Sequence, residues 1–304
     1  MSTVPSAVRR PARSPGSRRT GRSGFLFVLP FLVLFALFLV LPLVWGLWMS
    51  FTDSSLTGHG GGTFVGMANY ADALADSQMW SSLGNTAVFT LLSSVPLVLV
   101  ALVMALLVHT GLPGQWLWRL AFFAPYLLPV AVVWQVWLML FQPDLGLLNS
   151  MLRGIGLDGI GWLVEEKYAM WAVVLVTVWW TVGFNFLLYL AALQAVPDHL
   201  HEAAAIDGAG AWRRLWSITL PQLRRTTGLI AVLQVLASLK VFDQIYLLTR
   251  GGPNGSTRPV LEYIYDTGFT GYRLGYASAI SYVFFAILIV LSIGQLRLFS
   301  RREA

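Results

Sequence analysis

Six stretches of this chain, 25–49, 86–108, 116–141, 169–195, 227–249 and 275–296, are almost wholly apolar. A helix needs about 20 such residues to cross a hydrocarbon core, and each stretch is long enough. Open strands would leave edge N–H and C=O groups unpaired in lipid, so the stretches are read as helices. Only 11% of residues are charged and 57% are hydrophobic, whereas a soluble domain carries about 25% charged residues to cover its surface. A soluble enzyme and a disordered chain are both excluded. The expected fold is an all-α membrane protein with six transmembrane helices.

Basic residues set the orientation. Arg9, Arg10, Arg13, Arg18, Arg19 and Arg22 precede the first span, Arg119 lies between the second and third, and Arg213, Arg214, Arg224 and Arg225 lie between the fourth and fifth. Arg297, Arg301 and Arg302 follow the last. The opposite side holds only Arg153, Lys167, Arg250, Arg258 and Arg273, and its first loop, 50–85, has none. Both termini are therefore expected in the cytoplasm, with a basic tail over 1–24, a transmembrane domain over 25–298 and a short tail over 299–304. The run from Phe25 to Met49 exceeds the 7–15 apolar residues of a cleavable signal, so it is expected to remain as the first span. Prolines 30, 42, 96, 125 and 129 fall within spans, and Pro125 and Pro129 are expected to kink the third helix. The two halves show no internal repeat, which weighs against an inverted-repeat carrier.

Several chemistries are missing. There is no cysteine, so disulfides, thiolate metal sites and cysteine nucleophiles are excluded. A P-loop needs Lys between Gly and Ser or Thr, and neither Lys167 nor Lys240 stands there. His201–Glu202 begins like a helical zinc site, but position 205 is Ala; no metal site is expected. Gly58-His59-Gly60-Gly61-Gly62 has no nucleophile elbow to serve, and Gly154, Gly156 and Gly159 lack a preceding strand, so both are read as turns. No catalytic residues are assigned, and the basic charge is attributed to orientation, not to nucleic acid.

The cytoplasmic connection 197–222 is the most informative segment. Asp198 is a candidate N-cap, the Ala-rich run favours helix, and Gly208 suits a left-handed stop. A second helix would place Trp212, Leu215, Trp216 and Thr219 on one stripe, and Pro221 would end it near the next span. Small residues beside Glu202 and Asp207 suit docking into a groove on another protein. An amphipathic helix lying on the bilayer fits the same residues. Within the spans, Lys240 and Asp243 are three apart and would share a helical face; they are either a path-lining pair, with Gln244 beside them, or a structural ion pair. Asn185, with Phe184 and Tyr189 nearby, would either hydrogen-bond and stack on a sugar or make an interhelical contact.

Glu202-Ala203-Ala204, then Gly208, then Ile218-x-Leu220-Pro221, resembles the EAA signature of permease subunits in binding-protein-dependent ABC importers. Further marks resemble the carbohydrate branch of that family, of the maltose and glycerol-phosphate type. These are Leu29-Pro30-Phe31, Phe64-Val-Gly-x-x-Asn69-Tyr70, Asn85-Thr86, Gly146-Leu-Leu-Asn149, Gly183-Phe-Asn185, Phe242-Asp-Gln-Ile-Tyr…Gly-Gly-Pro253 and Gly275-Tyr-Ala-Ser-Ala279. Arg224-Arg225-Thr226 stand where the family often has a proline, and extra N-terminal spans or a large outer domain are missing.

The resemblance implies a multi-pass permease of the bacterial cytoplasmic membrane that imports a sugar or sugar phosphate by alternating access. Its implied partners are a second permease, two ATPase subunits that bind ATP and Mg, and an extracytoplasmic solute-binding protein. This chain itself would hold no cofactor. Coupling to the ATPase would fall to Glu202, Ala203, Ala204, Asp207 and Gly208. The rival readings are a stand-alone secondary carrier using the Lys240–Asp243 pair and an intramembrane enzyme, for which no constellation exists.

Overall fold

The computed structural model describes residues 20–58, 62–111 and 113–300, with the backbone alone for 20–24, 296 and 298–300. Arg9, Arg10, Arg13, Arg18, Arg19, His59, Gly60, Gly61, Arg301 and Arg302 lie outside the described residues. The chain forms two compact units that divide between Trp48 and Met49.

The first unit is helical: α1, Thr20–Phe35, a π-turn at Ala36–Val40, and α2, Leu41–Met49. Pro30 sits inside α1 without ending it. The span Phe25–Met49 buries none of its most apolar window within the chain, as expected of a helix made for lipid or for a partner.

The second unit begins with α3, Ala68–Ala75, and the 33-residue α4, Ser77–His109. Asp76 caps α4 by accepting from the Gln78 N–H at 2.8 Å. The next span is broken into α5, Gln115–Phe123, a 3-10 turn at Ala124–Leu127, and α6, Val130–Leu140, with a 95° bend between the halves. Pro125 and Pro129 account for it, since each lacks an N–H and clashes with the carbonyl four residues back. After α7, Leu147–Gly154, comes α8, Glu166–Gln194. Then follow α9, Asp198–Ile206, α10, Ala211–Arg214, a π-turn at Leu215–Thr219, and α11, Leu220–Leu239. The unit closes with α12, Asp243–Leu248, α13, Val260–Tyr265, a π-turn at Asp266–Thr270, and α14, Leu274–Ser300.

Four described helices are long and apolar enough to cross a membrane, or five if the bent α5–α6 pair is one span. The stretch expected as the fifth span, 227–249, is not one helix. It divides into α11 and α12 at Lys240–Phe242, where Phe242 has φ −145° and ψ −67°. The apolar run hides the break from hydropathy.

The core is built around α4 and α8, which pack along their length. Ala101, Ala105, Ala169 and Ala172 are fully buried, the small residues that let membrane helices approach closely. Gly183 lets α8 approach α5 closely, because a Cβ there would stand 2.6 Å from the Phe122 carbonyl oxygen. A second cluster joins α3, α13 and α14 through Ala73, Tyr263, Tyr276 and Ile280.

Candidate functional site

Two groups of residues were singled out in the sequence, and the structure treats them differently. In the connection 197–222 no residue of α9 is buried. Asp198 is its first helical residue and Pro197 holds the cap position, one place earlier than expected. The helix ends in a Schellman turn: Gly208 donates to the Ala205 carbonyl at 3.1 Å and Ala209 to the Ala204 carbonyl at 2.9 Å. Gly208 has φ +76° and open space where a Cβ would go, so glycine is needed for backbone conformation and not for room.

The expected stripe on the second helix is corrected. The π-turn inserts one residue into the register, leaving Trp212 and Trp216 exposed at 72% and 57% while Thr219 is buried. The two indoles pack edge to face at 5.8 Å. Pro221 does not end the helix either. In the widened turn, Leu220 donates to the Leu215 carbonyl, which makes room for the proline at the start of α11. α11 then runs through Arg224-Arg225-Thr226 unbroken.

Among the membrane residues, Asn185 is buried and donates to Gln234 Oε1 at 2.8 Å and to the Leu97 carbonyl at 3.4 Å. Gln234 donates to Ser238 Oγ at 3.0 Å, and Ser93 and Ser94 of α4 reach the same hydroxyl at 3.0 and 3.3 Å. This network ties α4, α8 and α11 together inside lipid-facing walls, each such bond contributing about 0.6 kcal/mol. Tyr189 is wholly buried in the α4–α8–α11 core. Phe184 points elsewhere, 43% exposed and packed on Tyr126 at 5.7 Å. The three residues therefore do not form one surface.

Lys240 and Asp243 do not share a helical face, because the chain breaks between them. Both are exposed, no ion pair joins them, and Gln244 is half-buried.

Most of the remaining motif residues act as staples. Asn149 donates to the carbonyls of Pro143 and Ile160 at 3.0 and 2.9 Å, and accepts from the Ile160 N–H and the Trp162 indole at 3.0 Å. Asn69 donates to the carbonyls of Ser50 and Thr52, both at 2.9 Å. Asn85 holds the carbonyls of Gly255 and Arg258 at 2.8 and 3.1 Å, and Thr86 accepts from the Val260 N–H at 2.9 Å. Gly275 lies against the Thr52 carbonyl, where a Cβ would come within 2.0 Å.

Sequence reasoning missed an acidic cluster in the same region. Asp76 accepts hydrogen bonds from the hydroxyls of Tyr263 and, at 2.7 Å, Tyr276. Burial pushes its carboxyl up, but these bonds and the capping N–H groups outweigh that and hold it below the usual range. Glu262 is 1% exposed with Oε2 unpartnered. Burial pushes its carboxyl up to about 7, Asp266 adds to the rise, and Arg258 opposes it. Neither residue is in a local motif, and the tyrosines that hold Asp76 are far away in the chain.

A helical multi-span membrane subunit with an exposed helical loop is thus the class of protein at hand. Residues 85–303 match the family described as binding-protein-dependent transport system inner membrane component. The chain belongs to this family: it is an inner-membrane ABC permease component without an ATPase domain of its own. The probable ABC transporter permease YurN of Bacillus subtilis is 33% identical over 90% of this chain and 95% of that protein. The sn-glycerol-3-phosphate permease UgpA of Agrobacterium fabrum is 34% identical, covering 91% of this chain and 94% of its own. The sulfoquinovosyl glycerol permease SmoG of the same organism is 32% identical, covering 91% and 90%. In fold, the chain is similar to a crystal structure of a bacterial ABC transporter for the acidic polysaccharide alginate, with TM-score 0.80, 24% identity, and coverage of 93% of this chain and 96% of that one.

Proposed function

We propose that this permease moves a sugar or a sugar or glycerol phosphate into the cytoplasm, driven by a separate ATPase that docks on residues 198–220. The observation that carries the reading is the state of α9. It is a well-formed helix with a dedicated glycine stop, yet it buries nothing within its own chain, and Ile206 is 87% exposed. Such a surface is completed by a partner. Glu202, Ala203, Ala204, Asp207 and Gly208 form the contact, and the continuous α10–α11 helix carries its displacement into the membrane. The sugar reading is supported by relatives named for glycerol 3-phosphate and sulfoquinovosyl glycerol.

The assembly has six spans in this chain, counting α5–α6 as the third and α11–α12 as the fifth, with both termini in the cytoplasm on the basic-residue count. A second permease faces this one across the path, two ATPase subunits that bind ATP and Mg lie below, and a solute-binding protein delivers the sugar from outside. Phe184, Lys240, Asp243 and Gln244 are the candidates to face the path, while Asn185 and Tyr189 shape it from behind. Alternating access follows from rigid-body motion of helix bundles.

Purification of a tagged copy in mild detergent, with co-purifying chains identified by mass, tests the assembly. A P-loop ATPase and a second multi-span permease are expected. A chain that purifies alone, also after cross-linking in native membranes, would contradict the reading.

A further inference from the structure

The short helix α7, between α6 and α8, carries an apolar strip that neither the core nor the motifs use. Leu147 and Met151 in the helix and Ile155 at its C-cap recur every four residues, so they line one side. Leu145 and Leu157 stand just beyond its two ends. All five are more than half exposed, Leu145 and Ile155 at 91% and 73%. Asn149, Ser150 and Arg153 fall on the other side of the helix.

The strip is held in place and not on a loose loop. Asn149 makes four hydrogen bonds to the segments on either side of α7. Ser150 Oγ donates to the Gly146 carbonyl at 3.0 Å, and Arg153 donates to the Asp144 carbonyl. Leu148 packs on the core cluster that contains Val133 and Trp134 of α6 and Val173 of α8. A fixed, contiguous apolar strip of this kind marks a contact with a membrane or with another protein.

The ties of α7 set its level against the bilayer. Ile160 and Trp162, which Asn149 holds, lead directly into α8, a helix long and apolar enough to span. Glu165, Glu166 and Lys167 at its start are exposed. Trp171, also exposed, follows Glu166 by about 7.5 Å at 1.5 Å per residue. Exposed Trp on a span marks the headgroup level, and that layer is about 5–8 Å thick on each face of the bilayer. The start of α8, and α7 with it, therefore stands within the headgroup layer.

The residue types then select lipid over a second chain. Protein interfaces are anchored by Trp, Tyr and Arg, and the strip holds none of these, only Leu, Ile and Met. The charged residues around it, Asp144, Arg153 and Asp158, are exposed, as in a helix that lies in the interface plane with its apolar side down.

We infer that α7 is an interfacial helix whose Leu147–Met151–Ile155 side, with Leu145 and Leu157, is seated among lipid acyl chains and anchors the connection 141–165 to the bilayer surface. The inference goes beyond the transport reading and holds for any cargo.

The chain has no cysteine, so Leu147→Cys, Met151→Cys, Ser150→Cys and Asp158→Cys each accept a single nitroxide label. All four positions are exposed, so the labels leave the core packing alone. The labelled full chain is assembled with its partners in vesicles of phosphatidylcholine and phosphatidylglycerol. Spin relaxation is then read with oxygen, which concentrates in the bilayer, and with a water-soluble nickel chelate. The expected result is oxygen-dominated relaxation at the first two sites, at a depth of about 5–10 Å, and nickel-dominated relaxation at the other two. No contrast between the two pairs would overturn the inference, because the strip is then placed no differently from the polar positions. Shielding of the first two sites from both reagents would also overturn it, because another chain then covers the strip.

Discussion

The connections around Asn69, Asn85, Asn149 and Gly275 and the loop at 197–222 both carry sharp family motifs, but their side chains are in opposite states. In the first, Asn69, Asn85, Thr86 and Asn149 each find partners within the chain, and Gly275 is pressed against a carbonyl. In the second, Glu202, Ala203 and Asp207 are exposed, and a Cβ on Gly208 would meet nothing within 4 Å. A motif residue with its hydrogen bonds satisfied internally is explained by the fold of its own chain. One left open on a well-ordered helix requires a second chain to explain it. Variants on the two sides should therefore fail in different ways.

The largest effect is expected at Gly208. Valine tolerates φ +76° poorly, so Gly208→Val should lower ATP-driven uptake about a hundredfold, near the upper range for coupling between sites. The strain falls on an exposed helix end, so the variant's melting temperature in nanodiscs should drop by no more than about 4 °C. Gly208→Asn, which accepts the left-handed conformation, should restore most uptake. Equal loss of stability in both variants would erase the contrast between the regions.

At the stapled connections the order reverses. Gly275→Ala forces a Cβ into the Thr52 carbonyl and should cost about 3 kcal/mol, at the high end for overpacking. Asn149→Ala leaves two carbonyls, an N–H and an indole without their amide partner and should cost about 2–3 kcal/mol. Both should appear as lower melting temperatures and yields, with sugar moved per ATP unchanged in the molecules that remain folded.

Glu262 sharpens the comparison through pH. Its native carboxyl is pushed up to about 7 against an ordinary 4.5, so the folded protein binds the proton more tightly than the unfolded chain. Stability is then fully present below about pH 4.5 and declines as pH rises towards 7. The total loss is on the order of 3 kcal/mol, from the pKa difference alone. Glu262→Gln should flatten this decline, measured by thermal unfolding between pH 5 and 8. An unchanged pH profile would show that another group is responsible.

Much of this molecule was legible in its sequence, for identifiable reasons. Long apolar runs report helices in lipid directly, and Pro125 and Pro129 marked the bend in the third stretch. The left-handed stop at Gly208 followed from local chemistry. The break at Lys240–Phe242 was not legible, because Lys240 and Asp243 read equally well as a charged pair on one face of a continuous, otherwise apolar helix. The π-turn before Pro221 was missed because a proline signals a missing N–H without saying how the turn adapts. The Asp76–Tyr263–Tyr276 cluster joins residues nearly two hundred positions apart, and no spacing rule reaches that far. Asn185 and Tyr189 looked like one surface with Phe184, yet neighbouring positions on a helix point to different sides.

The central claim is that the loop at 198–220 is a docking surface for an ATPase. The chain has no cysteine, so Ala204→Cys gives a single reactive thiol in the middle of α9. Cross-linking this variant in native membranes with a short bifunctional reagent, followed by mass identification of the product, is the most direct measurement. The account predicts one dominant adduct with a P-loop ATPase, weakened when Gly208→Val is added. A thiol that reacts only with itself or with lipid-side reagents, in membranes that still show ATP-driven uptake, would contradict it.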